Sequence, residues 1–247
     1  MDYTKVNSET WDKWSKEKFI WTVPLTAEQF AMAKKGEWDI FLTPNKPVPK
    51  DWIGELENKR VLGLASGGGQ QGPILSSQGA KVTILDYSKS QLEADRSVSE
   101  REGYRINLVH ADMTKELPFE DESFDLIIHP VSNCYVQDIH HVWSEAHRIL
   151  KKDGLLISGF TNPILYALEE EQGRDYISRK LPVDPLNDLT EEELQVQMKE
   201  EGIQFSHSLD SQIGGQCLAG FKIEGLYEDK ANKDDEIPLF ISTKARK

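Results

Sequence analysis

The chain has 247 residues, 38% hydrophobic and 29% charged, with a formal charge of −13 at pH 7. That length makes one large domain or two small ones with a real core, and the negative balance argues against nucleic acid as a partner. No apolar run approaches the ~20 residues of a membrane helix, the Met1-Asp2-Tyr3-Thr4-Lys5 start lacks the apolar core of a signal peptide, and Cys134 and Cys217 make neither a disulfide framework nor a metal cage, so the reducing cytoplasm is the expected setting.

Residues 1–59 are irregular and hold Trp11, Trp14, Trp21, Trp38 and Trp52, with Pro44, Pro47 and Pro49 breaking any regular element. They read as an N-terminal helical cap with short helices over 8–17 and 26–35, either packed on the main domain or closing over a ligand. From residue 60 short apolar runs alternate with helical stretches. Strands are expected at 60–65, 81–86, 106–109, 124–128 and 155–159, and helices at 72–78, 89–102 and 139–150. Ser88 with Gln91 makes a capping box. Ile139, Val142, Trp143, Ala146, Ile149 and Leu150 share one helical face. This alternation predicts βαβ units and a parallel sheet with helices on both faces. An insertion is expected at 161–189, a helix capped by Thr190 and Glu193 after it, and two closing strands at 221–226 and 239–242.

The cluster Ser66-Gly67-Gly68-Gly69-Gln70-Gln71-Gly72 follows the first strand and precedes a helix. Glycines there let backbone approach a ligand, with free N–H groups at a helix start. The second strand ends in Asp86, placed to accept both hydroxyls of a ribose. Gly67-x-Gly69-x-x-Gly72 fits a dinucleotide fingerprint, so an NAD(P)-dependent oxidoreductase stands as one reading. Ala111-Asp112-Met113 after the third strand points elsewhere, because an Asp there can bond an adenine amino group. So do Leu117-Pro118-Phe119 through Asp125, and Glu145 through Gly154.

On these segments the run Val61–Ser158 resembles a class I S-adenosylmethionine-dependent methyltransferase of the small-molecule type, and the likeness loosens toward the C-terminus. The resemblance implies a Rossmann-like α/β fold: a seven-stranded, mostly parallel sheet whose last strand is antiparallel and sits between the fifth and sixth. It implies S-adenosyl-L-methionine as cofactor, a small-molecule acceptor, and a methyltransferase domain over 60–247. The cofactor residues it implies are Ala65, Ser66, Gly67, Gly68, Gly69, Asp86, Tyr87, Gln91, Asp112, Met113 and His129. The sequence departs from the family at Gly63, where an acidic residue is usual, and at Ala65, where glycine is usual. Gln70, Gln71 or the cap then become candidates for the methionine amine, and a non-catalytic binder is a further alternative.

Methyl transfer from a sulfonium needs alignment and exclusion of water more than acid catalysis, so no strict catalytic motif is expected. In the loop His129-Pro130-Val131-Ser132-Asn133-Cys134-Tyr135, His129 is either a base or a packed histidine. Asn133 and Tyr135 are candidates for orienting a substrate, and Cys134 reads as a small buried residue. Gly214 and Gly215 suggest close packing, and Glu169-Glu170-Glu171 a solvated helix face or an acidic mouth.

Overall fold

The computed structural model describes residues 1–171, 174–232 and 234–247. In chain order the elements are α1 (Tyr3–Glu17), α2 (Ala27–Ala33), α3 (Lys50–Ile53), β1 (Arg60–Leu64), α4 (Gln71–Ser77), β2 (Lys81–Asp86), α5 (Lys89–Glu102), β3 (Asn107–His110), β4 (Phe124–His129), α6 (Ile139–Ile149), β5 (Leu150–Thr161), β6 (Leu168–Glu171), β7 (Arg174–Ile177), α7 (Pro185–Asp188), α8 (Glu191–Glu200), α9 (Gly215–Leu218), β8 (Lys222–Asp229) and β9 (Phe240–Arg246).

The seven-stranded sheet runs β3-β2-β1-β4-β5-β9-β8. β1 to β5 are parallel, and β9 is antiparallel to both β5 and β8. This is the order expected from the resemblance. Side chains alternate between two cores, as a sheet covered on both faces requires. Leu62, Leu64, Leu85 and Ile127 face α6, where Trp143 is fully buried. Val61, Val82, Ile84 and Ile128 face the other way, together with Ile40, Leu42, Val48, Ile53 and Leu56 from the N-terminal stretch.

Several elements differ from expectation. α1 starts at Tyr3 because Asp2 caps it, accepting from Lys5 N at 3.1 Å. Glu169–Glu171 lie in the two-stranded β6–β7 sheet, not on a helix. Gly215 packs closely, as expected, since a Cβ there would lie 2.9 Å from Trp143 Cδ1. Thr190 and Glu193 do form the expected capping box on α8. Ser88 makes only half of its box: its hydroxyl accepts from Gln91 N, while Ser88 N donates to Asp86 Oδ1 at 2.8 Å. The Gln91 carboxamide is thereby left free to turn elsewhere.

Gly159 on β5 lies directly under the Leu42 carbonyl, so a Cβ there would collide with backbone. Gly159→Ala is expected to cost about 2–3 kcal/mol by overpacking, read as a lower midpoint in urea with an unchanged slope. No helix among the described residues is long and apolar enough to cross a membrane.

Candidate functional site

The carboxyl ends of β1, β2, β3 and β4 converge on one edge, and the glycine cluster turns there into α4. The loop N–H groups are not free, contrary to the expectation from sequence. Gly67 N donates to Asp86 Oδ2 (2.9 Å), Gly68 N to the Gln91 carbonyl (3.0 Å) and Gly69 N to Asp95 Oδ2 (3.1 Å). What the glycines offer is close approach: a Cβ on Gly67 would lie 2.7 Å from Gln91 Cβ and 2.9 Å from Asp86 Oδ2. Ala65 adopts φ +48°, which a glycine would hold without strain. At Gly63 the space for a side chain is taken by Ile84, whose Cδ1 lies 2.6 Å from the ideal Cβ position.

Asp86 is fixed by two backbone N–H groups, one on each oxygen. Burial pushes its carboxyl up, and the N–H groups of Ser88 and Gly67 oppose that. Asp95 sits beneath the loop with no exposed surface; burial pushes it up to about 8, against the pull of Gly69 N–H. Sequence reading missed Asp95. Its i+4 spacing from Gln91 on α5, which turns both toward the loop, was the available signal. Tyr87 stacks on His110 at 5.3 Å between centroids. Asp112 Oδ1 accepts from Thr114 N at 2.8 Å.

These groups open onto a cavity of about 1010 Å³, at the upper end of the ~300–1,000 Å³ usual for small-molecule sites. Of the residues expected there, Ala65, Ser66, Gly67, Asp86, Tyr87, Gln91, Asp112, Met113 and Tyr135 line it. Gly68, Gly69, His129 and Asn133 do not; the first two are buried behind the loop.

His129 is fully buried and does not reach the cavity, so it cannot act as a base on a molecule held there. Its Nδ1 lies 2.8 Å from the Leu64 carbonyl, which can only accept, so Nδ1 carries the proton. Burial pulls its pKa down and keeps the ring neutral. Nε2, 2.7 Å from the Asn133 carboxamide, must then accept from the Asn133 NH₂. The Asn133 oxygen is left facing the Gln212 carboxamide at 3.2 Å, which provides a partner for a Gln212 NH₂ that otherwise has none. His129 and Asn133 therefore pin β1 and β4 to the 210–214 helical turn; they are packing groups.

α1 roofs the cavity with Trp11 and Trp14, and Trp21 reaches it too, whereas Trp38 and Trp52 pack against the sheet core. Three ties hold the roof. Asn7 brackets Ile203, donating to its carbonyl (3.0 Å) and accepting its N–H (2.6 Å). Ser8 donates to the Tyr87 carbonyl at 2.8 Å. Asp12 accepts from Ser88 Oγ (2.6 Å) and Ser90 N (3.0 Å). Gln70 and Gln71, candidates for a ligand amine, instead donate to backbone carbonyls of Val23 and Phe41. The far wall includes Tyr166, Glu169 and Arg179 and the inner side of α8. Cys134 lies against the cavity with its thiol pushed up by burial to about 12, so it is inert.

The model of a methyltransferase domain family matches residues 62–158. A Bacillus subtilis protein described as the uncharacterized methyltransferase YbaJ is 43% identical over 247 residues, covering 98% of this chain and 97% of that one. Demethylmenaquinone methyltransferase of Clavibacter sepedonicus is 33% identical over 112 residues, 45% of each chain. Among solved structures, an S-adenosylmethionine-dependent methyltransferase from Mesorhizobium loti shares the fold with a TM-score of 0.65 at 21% identity, covering 80% of this chain and 94% of that one. One from Aquifex aeolicus aligns with a TM-score of 0.52 at 16% identity, over 80% and 86% of the two chains. Near full-length identity to a methyltransferase, on this sheet order and around this cavity, makes the chain a member of the S-adenosylmethionine-dependent methyltransferase family.

Proposed function

We propose that the chain binds S-adenosylmethionine over the carboxyl ends of β1, β2 and β3 and methylates a small molecule enclosed under α1. The observation that carries this reading is continuity: one cavity runs from Gly67, Asp86 and Asp112, past Pro130–Ser132, to the aromatic roof.

The residues present fit the cofactor. Each Asp86 oxygen keeps one lone pair after its backbone bond, enough for two ribose hydroxyls. Gln91 Oε1 and Thr114 Oγ1 are buried polar atoms without a protein partner, and both residues line the cavity. Asp112 is the candidate for the adenine amino group, and Tyr87 and Met113 for packing on the ring. Gly67 offers no side chain to obstruct the ligand.

The cofactor supplies a methyl group on a positively charged sulfur. The chain's own work is to align the acceptor and exclude water. In this reading residues 1–59 act as a cap through α1, and 161–201 shapes the acceptor. The charge of −13 disfavours nucleic acid as that acceptor. A small molecule of the reducing cytoplasm completes the proposal. Family membership replaces the nicotinamide reading.

Asp86→Ala is expected to weaken S-adenosylhomocysteine by about 1–3 kcal/mol through lost charge-assisted ribose bonds, measured by calorimetry. Unchanged affinity, or stabilisation by nicotinamide dinucleotide alone in a thermal-shift panel, would count against this placement.

A further inference from the structure

The cavity beyond Asp86 has walls of a consistent chemistry. We propose that the acceptor is a small organic amine, its apolar body resting on Trp11, Trp14 and Tyr135, and that it is methylated on nitrogen. The proposal rests on the cofactor placement given above.

The first observation is the lack of an enclosed base beside the roof, among the described residues. Among the described residues lining the cavity there is no histidine and no lysine. Burial raises the pKa of Tyr135 and Tyr166 and pushes Cys134 up to about 12, so none of them removes a proton at neutral pH. Glu169, Glu192, Glu193, Glu200 and Glu201 line the outer wall and are exposed, and Asp86 and Asp112 stand in the cofactor half of the cavity. A phenol, alcohol or carbon acid needs a positioned base as it attacks. An amine needs none once its own proton has left to water.

Charge is the second. Among the described residues, seven carboxylates line the cavity against one cation, Arg179. That guanidinium already stands 3.7 Å from Glu169 and 3.4 Å from Glu193. A phosphate, carboxylate or thiolate acceptor would enter a negative field without a free positive partner, whereas an ammonium is drawn in.

The third is the roof. Trp11 meets Trp14 at 5.1 Å and Tyr135 at 5.8 Å, both edge to face. This cluster joins the cap to the loop after β4, beside Pro130–Ser132. Aromatic faces in that position attract an alkylated ammonium and carry an apolar body equally well.

In the transfer, the ammonium first gives its proton to water at the mouth. The freed nitrogen lone pair then forms the N–C bond as the carbon–sulfur bond breaks, and that bonding pair stays on sulfur. Sulfur becomes neutral and nitrogen takes the positive charge into the aromatic roof.

The test has a binding arm and a turnover arm. In the first, benzyltrimethylammonium, benzyl alcohol and benzoate are titrated into protein saturated with S-adenosylhomocysteine, followed by heat and tryptophan fluorescence. The ammonium is expected to bind about tenfold or more tighter than the alcohol, and benzoate not to bind. Trp11→Leu, and separately Glu200→Gln with Glu201→Gln, should weaken the ammonium about 5- to 10-fold while S-adenosylhomocysteine affinity holds. In the second arm, benzylamine and N-methylbenzylamine should release S-adenosylhomocysteine from S-adenosylmethionine, and matched phenols and benzoates should not. The amine kcat/KM should rise about tenfold per pH unit below the amine's own pKa. An ammonium that binds no better than the alcohol, preferred consumption of the phenol, or no amine turnover by protein that binds the cofactor overturns the amine proposal alone. No heat with S-adenosylhomocysteine overturns the cofactor placement, and the proposal with it.

Discussion

Gly67→Ala is expected to cut cofactor affinity by about 10- to 100-fold, the equivalent of ~1–3 kcal/mol of overpacking. The φ of Gly67 is one that alanine also adopts, so backbone strain is not the cause. The new methyl would meet Gln91 Cβ at 2.7 Å and the Asp86 carboxylate at 2.9–3.1 Å. Both are anchored: Asp86 by Gly67 N and Ser88 N, and Gln91 in the first turn of α5. Relief requires one of these two cofactor-site candidates to move, and the cofactor site moves with it. Calorimetry with S-adenosylhomocysteine reads the loss, and circular dichroism checks that the fold survives. Full affinity in a folded variant would show that the loop does not approach a ligand here. Gly69, behind the loop and at φ +69°, gives a useful contrast. Alanine there should lower stability through backbone strain before it touches affinity.

Asp95→Asn is expected to flatten the pH dependence of stability. The carboxyl has no exposed surface, its Oδ1 has no partner, and burial lifts it to about 8. In the unfolded chain it titrates near ~4. Between those values the native state holds a proton that the unfolded chain has released. Stability therefore falls as pH rises from about 4 to about 8 and levels off above. The ceiling for this one group is on the order of 5 kcal/mol. An asparagine keeps an oxygen for Gly69 N and has nothing to ionise. Thermal melts from pH 5 to pH 9 should show the variant gaining on the parent toward high pH. Parallel curves would show that Asp95 is ionised throughout.

The sheet was legible because its strands are short apolar runs between glycines and capped helices; β1 to β4 fall within a residue of where that pattern puts them, while β5 starts at Leu150, five residues before the expected 155–159. Two of the segments that carried the family resemblance, 117–125 and 145–154, prove to be scaffold. Glu145 and Arg148 form a bidentate pair (2.7 and 2.8 Å), and Arg148 also holds the Leu117 and Phe119 carbonyls. Asp125 accepts from Arg60 N and Lys151 Nζ. Such segments mark a family because they fold its loops, and so they say little about an acceptor. The cofactor half of the cavity was read from strand ends, where topology dictates position. His129 is the packed histidine that the sequence offered as one reading, and it and Asn133 stand outside the cavity because a strand-end position does not show which way a side chain turns. The acceptor half depends on contacts between residues far apart in the chain, such as Asn7 with Ile203 and Trp11 with Tyr135. No local pattern encodes those.

The position of β9 has a consequence for biosynthesis. It lies between β5 and β8 and bonds to both, so β8 has no edge to join until residues 240–246 exist. A ribosome-bound chain that has emerged only through Asp229 must wait with β5 as an open edge, able to pair with a neighbouring nascent copy. Emergence of residues 240–246, rather than of the glycine loop, is then the event that closes this sheet.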